Sequence, residues 1–183
     1  MNIVVLSGTN REGSNSLRVA RALEARYVAI DGVEASVLDL RGLPQGLLDP
    51  GAYANKPEGF ARFAEAVLGA DGLHVVSPEY NGGPPGVLKL FIDHLPFPES
   101  FERRPVCFTG VSAGRFGALR PVEQLQAIFG YRNALQYPDR VFIPGIHKAL
   151  DDDGWPNEDF VGGLLGKQVD GFVAFARAVT PLR

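Results

Sequence analysis

The chain has 183 residues and a formal net charge of −3, with 18 basic and 21 acidic side chains. This balance argues against a nucleic-acid-binding surface, which needs clustered Lys and Arg, but it permits a local site for a small anion. The lone cysteine, Cys107, excludes an intramolecular disulfide and fits a reducing compartment. Without a basic leader or an apolar run of about 18 residues, we predict a cytoplasmic protein with no membrane or nucleic-acid partner.

Short apolar runs alternate with helical patterns along the chain, beginning directly at the N-terminus. Because the runs are apolar throughout instead of alternating with polar residues, they indicate strands covered on both faces. The gap over residues 42–57 is rich in Gly and Pro and is predicted to be one long loop. Strands are predicted over residues 2–7, 33–38, 71–77, 104–110 and about 140–143.

The segments between the predicted strands carry apolar residues at helical spacing. Their buried faces are predicted to comprise Leu17, Ala20, Leu23 and Tyr27; Phe60, Phe63, Val67 and Leu68; Val87, Leu88, Phe91 and Leu95; Val122, Leu125 and Phe129; and Val161, Leu164, Leu165, Phe172, Phe175 and Val179. The alternation predicts one α/β domain over residues 1–183. Its architecture is a flavodoxin-like three-layer sandwich, in which a five-stranded parallel sheet of order 2-1-3-4-5 carries helices on both faces.

The loop after the first strand, residues 7–16, is rich in glycine and hydroxyl side chains. Free N–H groups at the start of the next helix, with these hydroxyls and Arg11 nearby, predict a phosphate site. Alternatively, Ser14 or Asn15 only caps the helix. Neither a Walker loop nor a dinucleotide fingerprint is present, which favours a monophosphate. The candidate ligands are Thr9, Arg11, Ser14, Asn15 and Ser16.

Two further loops are predicted to lie beside the first. Residues 78–86 follow the third strand and form a tight turn at the point where the strand order reverses, where open α/β sheets bind ligands. Residues 112–120 follow the fourth strand, and their small side chains permit close approach of a flat ring, or alternatively form an ordinary helix-capping loop. The candidate residues are Pro78, Glu79, Tyr80, Asn81, Gly82, Ser112, Gly114 and Arg115.

All three loops resemble motifs of the NAD(P)H-dependent FMN reductase family, and together they cover about a quarter of the chain. Residues 8–14 match Gly-Ser-x-Arg-x-x-Ser with Thr9 in place of serine, and residues 78–81 match Pro-Glu-Tyr-Asn. Residues 112–120 match Ser-x-Gly-x-x-Gly-Gly-x-Arg with Ala118 in place of the second glycine. The second motif departs at Gly83, where the family often has serine, and at Leu90, where it has asparagine.

The resemblance implies non-covalently bound FMN, with its phosphate in the first loop and its ring along the other two. It also implies hydride transfer from NADPH or NADH through FMN to a small acceptor, which is a flavin, quinone, azo compound or metal oxyanion. Homodimers or homotetramers are common in the family. Glu79 and Asp93 suggest acid–base catalysis, but a scaffolding role for Glu79 and a surface or subunit contact for Asp93 are favoured. We assign no catalytic residue, because the cofactor carries the chemistry.

Two other functions remain open from the sequence. One is a flavodoxin-like FMN-binding electron carrier or redox-responsive partner protein without NAD(P)H turnover. A weaker one is a hydrolase or transferase that uses the first loop for a phosphorylated substrate. His74, His94 and His147 lack metal-ligand spacing with Cys107 and are interpreted as core or surface residues, so no metal site is predicted.

Overall fold

The computed structural model describes residues 1–182, and its central feature is a parallel sheet with helices on both faces. The strands are β1 (Asn2–Ser7), β2 (Glu34–Asp39), β3 (Gly72–Pro78), β4 (Pro105–Val111), β5 (Leu135–Gln136) and β6 (Val141–Ile143). The helices are α1 (Asn15–Val28), α2 (Ala61–Leu68), α3 (Gly86–His94), α4 (Leu119–Tyr131) and α5 (Asp159–Val179). Short 3₁₀ turns occupy Leu40–Gly42, Gln45–Leu48, Pro50–Tyr53 and Thr180–Leu182.

The sheet has the order β2-β1-β3-β4-β5, and every pairing in it is parallel. This confirms the predicted flavodoxin-like fold. Strands β1 and β3 are neighbours, with Ile3 opposite Gly72, so the loops that follow them leave the same edge of the sheet side by side. The order reverses at this pair, which places a crevice at their carboxyl ends.

The sheet separates two apolar cores, and alternate residues of β1 supply each of them. Val4 and Leu6 pack on the side of α2, α3 and α4, whereas Ile3 and Val5 pack on the side of α1 and α5. This explains why the strands are apolar throughout. Most predicted helical faces are buried, but Leu68 is 37% exposed and Leu164 is 39% exposed. Those two predictions were wrong.

The predicted fifth strand, at about residues 140–143, is observed as β6, and the short strand β5 before it was not predicted; both pair with β4, so together they form an interrupted fifth strand. Pro105 pairs with Leu135 and Thr109 pairs with Val141, so the residue offset grows from 30 to 32 and two extra residues loop out between β5 and β6. Pro138 lies in this interruption and has no N–H to donate to a strand ladder. Within residues 1–182, no helix combines the length and apolarity needed to cross a membrane.

Candidate functional site

A cavity of about 420 Å³ lies at the carboxyl edge of the sheet, between the loops that follow β1, β3 and β4. Its volume falls within the range of roughly 300–1,000 Å³ that is typical of small-molecule sites. The three loops predicted to act together therefore do lie together. The cavity is lined by Arg11, Gly13, Ser14, Asn15, Ser16, Pro78, Glu79, Tyr80, Val111, Ser112, Ala113, Ile146 and His147.

The first loop brings the N-terminus of α1 to the cavity wall. Ser14 is the N-cap, and its Oγ accepts a hydrogen bond from the Leu17 N–H at 3.3 Å. The capping interpretation is therefore correct for Ser14, but it does not exclude an anion site. Asn15 and Ser16 are the first helical residues, and amides at these positions have no intrahelical carbonyl partner. Both residues line the cavity, so capping and anion binding are compatible there.

A close backbone approach anchors the start of this loop. The Gly8 N–H donates to the Val76 carbonyl at 2.9 Å, which ties the first loop to β3. A Cβ atom on Gly8 would lie only 2.9 Å from the same oxygen, so a larger residue would push the loop away from the sheet. Gly13 has a φ of +63°, in the left-handed region that favours glycine, and it turns the chain into α1.

The second loop is a tight turn whose geometry follows from its sequence. Asn81 and Gly82 have φ values of 52° and 79°, and Tyr80 and Gly83 exchange backbone hydrogen bonds of 2.9 and 3.1 Å around them. Two consecutive left-handed residues are what a type I′ turn requires, and Asn-Gly is its preferred pair. The Gln124 amide of α4 donates to the Gly82 carbonyl at 3.0 Å and braces the turn. Asn81 and Gly82 form the tip, beyond the residues that line the cavity.

A hydrogen bond joins the first loop to the second. The Thr9 hydroxyl lies 2.9 Å from the Tyr80 hydroxyl and also accepts the Arg11 N–H at 3.2 Å. Thr9 is buried behind the cavity wall, whereas Tyr80 is 36% exposed. The sequence predicted Tyr80 only as one of the residues along the flat ring. The structure shows a further role, in which Tyr80 fixes the relative position of two loops.

The third loop is held by the segment that follows β6. Ser112 N–H donates to the Ile143 carbonyl at 3.1 Å, and the Ile146 N–H donates to the Ser112 carbonyl at 3.0 Å. The Ser112 hydroxyl donates to the Gly114 carbonyl at 3.0 Å, which leaves its lone pairs available as acceptors. Of the predicted residues here only Ser112 lines the cavity. Gly114 and Arg115 lie farther along the loop, where Arg115 stacks over Phe116 at 5.2 Å.

The charged groups of the cavity differ in whether they already have partners. Glu79 pairs with Arg120 of α4 at 3.3 Å, which supports the scaffolding interpretation of this carboxylate. The side chains of Arg11 and His147 have no hydrogen-bond, ion-pair or ring partner within residues 1–182. Arg11 therefore contributes an unpaired positive charge to the wall, which suits a phosphate. Asp93, the other candidate carboxylate, pairs with Lys89 at 2.7 Å on the surface of α3.

Sequence reasoning missed the segment after β6, which contributes Ile146 and His147 to the cavity. His147 had been set aside as a core or surface residue. A usable signal was present, because this segment also follows a strand at the carboxyl edge, like the three loops that were predicted. The sequence does not show that the segment folds back against Ser112.

A second cavity, of about 770 Å³, lies across the first loop at the end of β2. Asn10 and Glu12 line it, while their neighbours Arg11 and Gly13 line the smaller cavity. Its cations are already engaged. Arg41 pairs with Asp39 at 2.6 Å, and Arg62 donates to the Gly42 carbonyl at 3.0 Å. Burial opposes ionisation of Asp39, but the hydrogen bonds and charge of Arg41 lower its pKa overall. This cavity therefore suits an anion less well, despite its size.

Comparison with known proteins gives a consistent picture. Residues 1–148 match the model of the family described as NADPH-dependent FMN reductase. The chain is 31% identical over 182 residues to an NAD(P)H-dependent FMN reductase of Pseudomonas aeruginosa, covering 97% of this chain and 96% of that protein. It is 31% identical over 182 residues to a quinone reductase of Pseudomonas putida, covering 96% and 95%. The fold is similar to that of FerB, a flavoenzyme NAD(P)H:(acceptor) oxidoreductase from Paracoccus denitrificans, with a TM-score of 0.81, 22% identity, and coverage of 97% and 98%.

Proposed function

This chain belongs to the NADPH-dependent FMN reductase family, and on that premise we propose that the three-loop cavity holds the FMN of an NAD(P)H-dependent oxidoreductase. The observation that carries this assignment is the convergence of the α1 N-terminus, residues 78–80 of the second loop and Ser112 around one cavity of about 420 Å³. The first supplies an anion site, and the other two supply closely approaching backbone for a flat ring.

The residues present fit FMN at both ends. At the phosphate end, the Asn15 and Ser16 amides point out of the start of α1, and Arg11 adds an uncommitted guanidinium. At the ring end, Pro78 and the small residue Ala113 permit close contact with a planar group. Four predicted residues lie outside the cavity wall: Asn81, Gly82, Gly114 and Arg115. We propose that they border the ring or the acceptor.

Bound FMN supplies the redox chemistry, accepting a hydride equivalent from NADPH or NADH and passing two electrons to an acceptor. The protein binds and orients the cofactor. Tyr80 and Thr9 hold two loops at a fixed separation, and Glu79 braces the second loop through Arg120. Buried Val111 and Ile146 contribute apolar surface to the cavity wall. No side chain needs to act as a general acid or base for this role.

We further propose a quinone as the acceptor class, supported by the Pseudomonas putida relative, which is named a quinone reductase. The family resemblance supports a homodimer or homotetramer. We propose that each subunit is one FMN-binding domain over residues 1–183, of which residue 183 lies outside the described part of the chain. A cytoplasmic location is proposed on the same ground. Flavins, azo compounds and metal oxyanions remain alternative acceptors for a screen.

An anaerobic spectroscopic titration tests the function. The FMN-loaded protein is expected to lose its visible flavin absorption on addition of NADPH or NADH, and to recover it on addition of a quinone. The Lys89→Ala variant, changed on the surface of α3, serves as a matched control and should behave like the unmodified protein. Failure of the apo protein to bind FMN would refute the assignment. Binding without bleaching by either dinucleotide would favour the electron-carrier alternative.

A further inference from the structure

His147 is held in place by fixed backbone on both sides. Its predecessor Ile146 donates to the Ser112 carbonyl at 3.0 Å, and Lys148 N–H donates to the Gly145 carbonyl at 2.9 Å. The Lys148 carbonyl in turn accepts from the Asn157 side chain at 2.9 Å. The side chain is exposed and lines the three-loop cavity. A group presented on fixed backbone loses little freedom when it contacts a ligand.

The segment carrying His147 runs along the beginning of α1. Arg18 donates to the Asp151 carbonyl at 2.6 Å and to the Asn15 side chain at 3.3 Å. A Cβ atom on Gly154 would lie 2.6 Å from the Arg18 carbonyl, so the segment contacts the helix closely. The segment after His147 therefore packs on α1, and His147 itself shares the cavity wall with Arg11, Ser14 and Asn15.

The titratable groups around His147 come from the first two loops and from its own segment. The first loop presents Arg11, and the second presents Glu79 and Tyr80. The third loop adds no titratable group to the wall, and the segment of His147 itself carries Lys148 and Asp151. Glu79 is paired with Arg120, which leaves no uncommitted carboxylate on the wall to compete for an imidazolium.

We propose that His147 is a second cationic contact for the FMN phosphate, in addition to Arg11, and that it makes FMN retention depend on pH. The proposal rests on the proposed function, because the phosphate is that of FMN. A phosphate monoester carries about −1.5 to −2 charges near neutral pH, and histidine is the side chain that changes charge between about pH 5 and 8. Attraction is present when the imidazole is protonated and is lost as the pH rises.

The test compares FMN and riboflavin binding to the apo protein by flavin fluorescence, at about pH 6 and about pH 8.5. The variants are His147→Gln, which keeps a neutral polar group, and His147→Lys, which keeps the charge at both pH values. The ratio of Kd between His147→Gln and the unmodified protein cancels the ionisation of the phosphate itself. For FMN this ratio is expected to be about 10 at the lower pH and below about 2 at the higher pH, since a charge-assisted hydrogen bond is lost.

Three controls make the result decisive. Riboflavin should give a ratio near 1 at both pH values, because it lacks the phosphate. The matched variant Lys148→Gln, which removes the neighbouring exposed cation, should leave the FMN ratio near 1. His147→Lys should bind FMN with the affinity of the unmodified protein at the lower pH and more tightly than it at the higher pH.

Calorimetry gives a second readout. FMN binding near neutral pH should take up protons in the unmodified protein, and His147→Gln should lose that uptake. A pH-independent ratio, or equal losses for FMN and riboflavin, would overturn the role of His147 while leaving the FMN site intact. If the unmodified protein binds neither FMN nor riboflavin, the proposed function fails together with this inference.

Discussion

Two histidines of this protein differ in whether their ring nitrogens have hydrogen-bond partners: His74 in the core and His147 at the cavity. Behind the sheet, Tyr27 donates to His74 Nδ1 at 2.8 Å, and His74 Nε2 lies 2.8 Å from the Thr109 hydroxyl. That hydroxyl donates to Gln168 Oε1 at 2.8 Å, so His74 must be the donor to Thr109. Both ring nitrogens are therefore committed. At the cavity, His147 has no partner within the described residues.

The difference separates polar groups that stabilise the fold from polar groups that are available to bind a ligand. Burial lowers the pKa of His74 to about 3 and keeps the ring neutral in a network whose donors and acceptors match. The Gln168 Nε2 atom extends this network by donating to the Phe108 and Asp139 carbonyls at 2.9 and 2.8 Å. Because Asp139 lies between β5 and β6, the second bond fixes the segment that interrupts the fifth strand. A matched network specifies one structure. Polar side chains without a partner on a cavity wall, such as those of Arg11 and His147, predict a ligand that completes their hydrogen bonds.

Among the substitutions, the largest effect is expected from breaking the hydrogen-bond network of His74. His74→Phe keeps a ring of similar volume but leaves the Tyr27 hydroxyl and the Thr109 hydroxyl without their partner. The free energy of unfolding should fall by about 3 kcal/mol, measured by urea denaturation. The matched variant His147→Gln should change it by less than about 0.5 kcal/mol. Equal effects of the two variants would contradict the distinction between the regions.

Acid should act on the same network. The folded-state pKa of His74 is about 3, below the ordinary value of 6.5, so the unfolded chain binds this proton first. The contribution of His74 to stability is therefore present above about pH 6.5 and is lost as the pH falls through 3, by about 5 kcal/mol in total. Denaturation curves recorded across this range should show the loss, and His74→Phe should show less of it. A pH dependence unchanged by the substitution would assign it to other groups.

The next largest effect concerns the cavity wall, where Arg11 has no partner. Arg11→Ala removes an uncommitted guanidinium from the cavity wall and should raise the Kd for FMN by about tenfold, because a charge-assisted contact is lost. Riboflavin affinity should change by less than about twofold. Arg21→Ala, at an exposed position of α1, is the control and should alter neither. Parallel losses for both flavins would remove Arg11 from the phosphate site.

The smallest effect tests whether the two loops of the cavity are coupled. Tyr80→Phe and Thr9→Val each remove one partner of the 2.9 Å hydrogen bond between the loops. The double-mutant cycle for FMN binding should give a coupling free energy of about 1 kcal/mol. Glu79→Gln combined with Thr9→Val serves as the comparison cycle and should give coupling near zero. Additive losses in the first cycle would mean that the hydrogen bond does not position the loops.

The sequence predicts features that depend on local rules. The glycine at residue 13 and the cap at Ser14 follow from helix-start chemistry, and the Asn81-Gly82 turn follows from turn chemistry. Strand order followed from the alternation of apolar runs and helical faces. Three of the four remaining strand predictions are displaced by only one residue at their start, such as β3, predicted from residue 71 and observed from Gly72.

Features that depend on contacts distant in sequence escaped prediction. The interruption of the fifth strand depends on Gln168, which reaches the Asp139 carbonyl from α5. The position of His147 depends on Ser112, to which its segment is bonded. Leu164 belongs to an apolar helical pattern, but its neighbour Leu165 takes the buried position. In each case the deciding partner lies far along the chain or on the packing surface of another element.

The most direct test is a crystal structure of the FMN-loaded protein. We expect the flavin phosphate at the N-terminus of α1, within hydrogen-bonding distance of the Asn15 and Ser16 amides and of Arg11, with the ring against Pro78 and Tyr80. Flavin bound instead in the larger cavity beside Arg41 and Arg62 would contradict the assignment of the three-loop cavity.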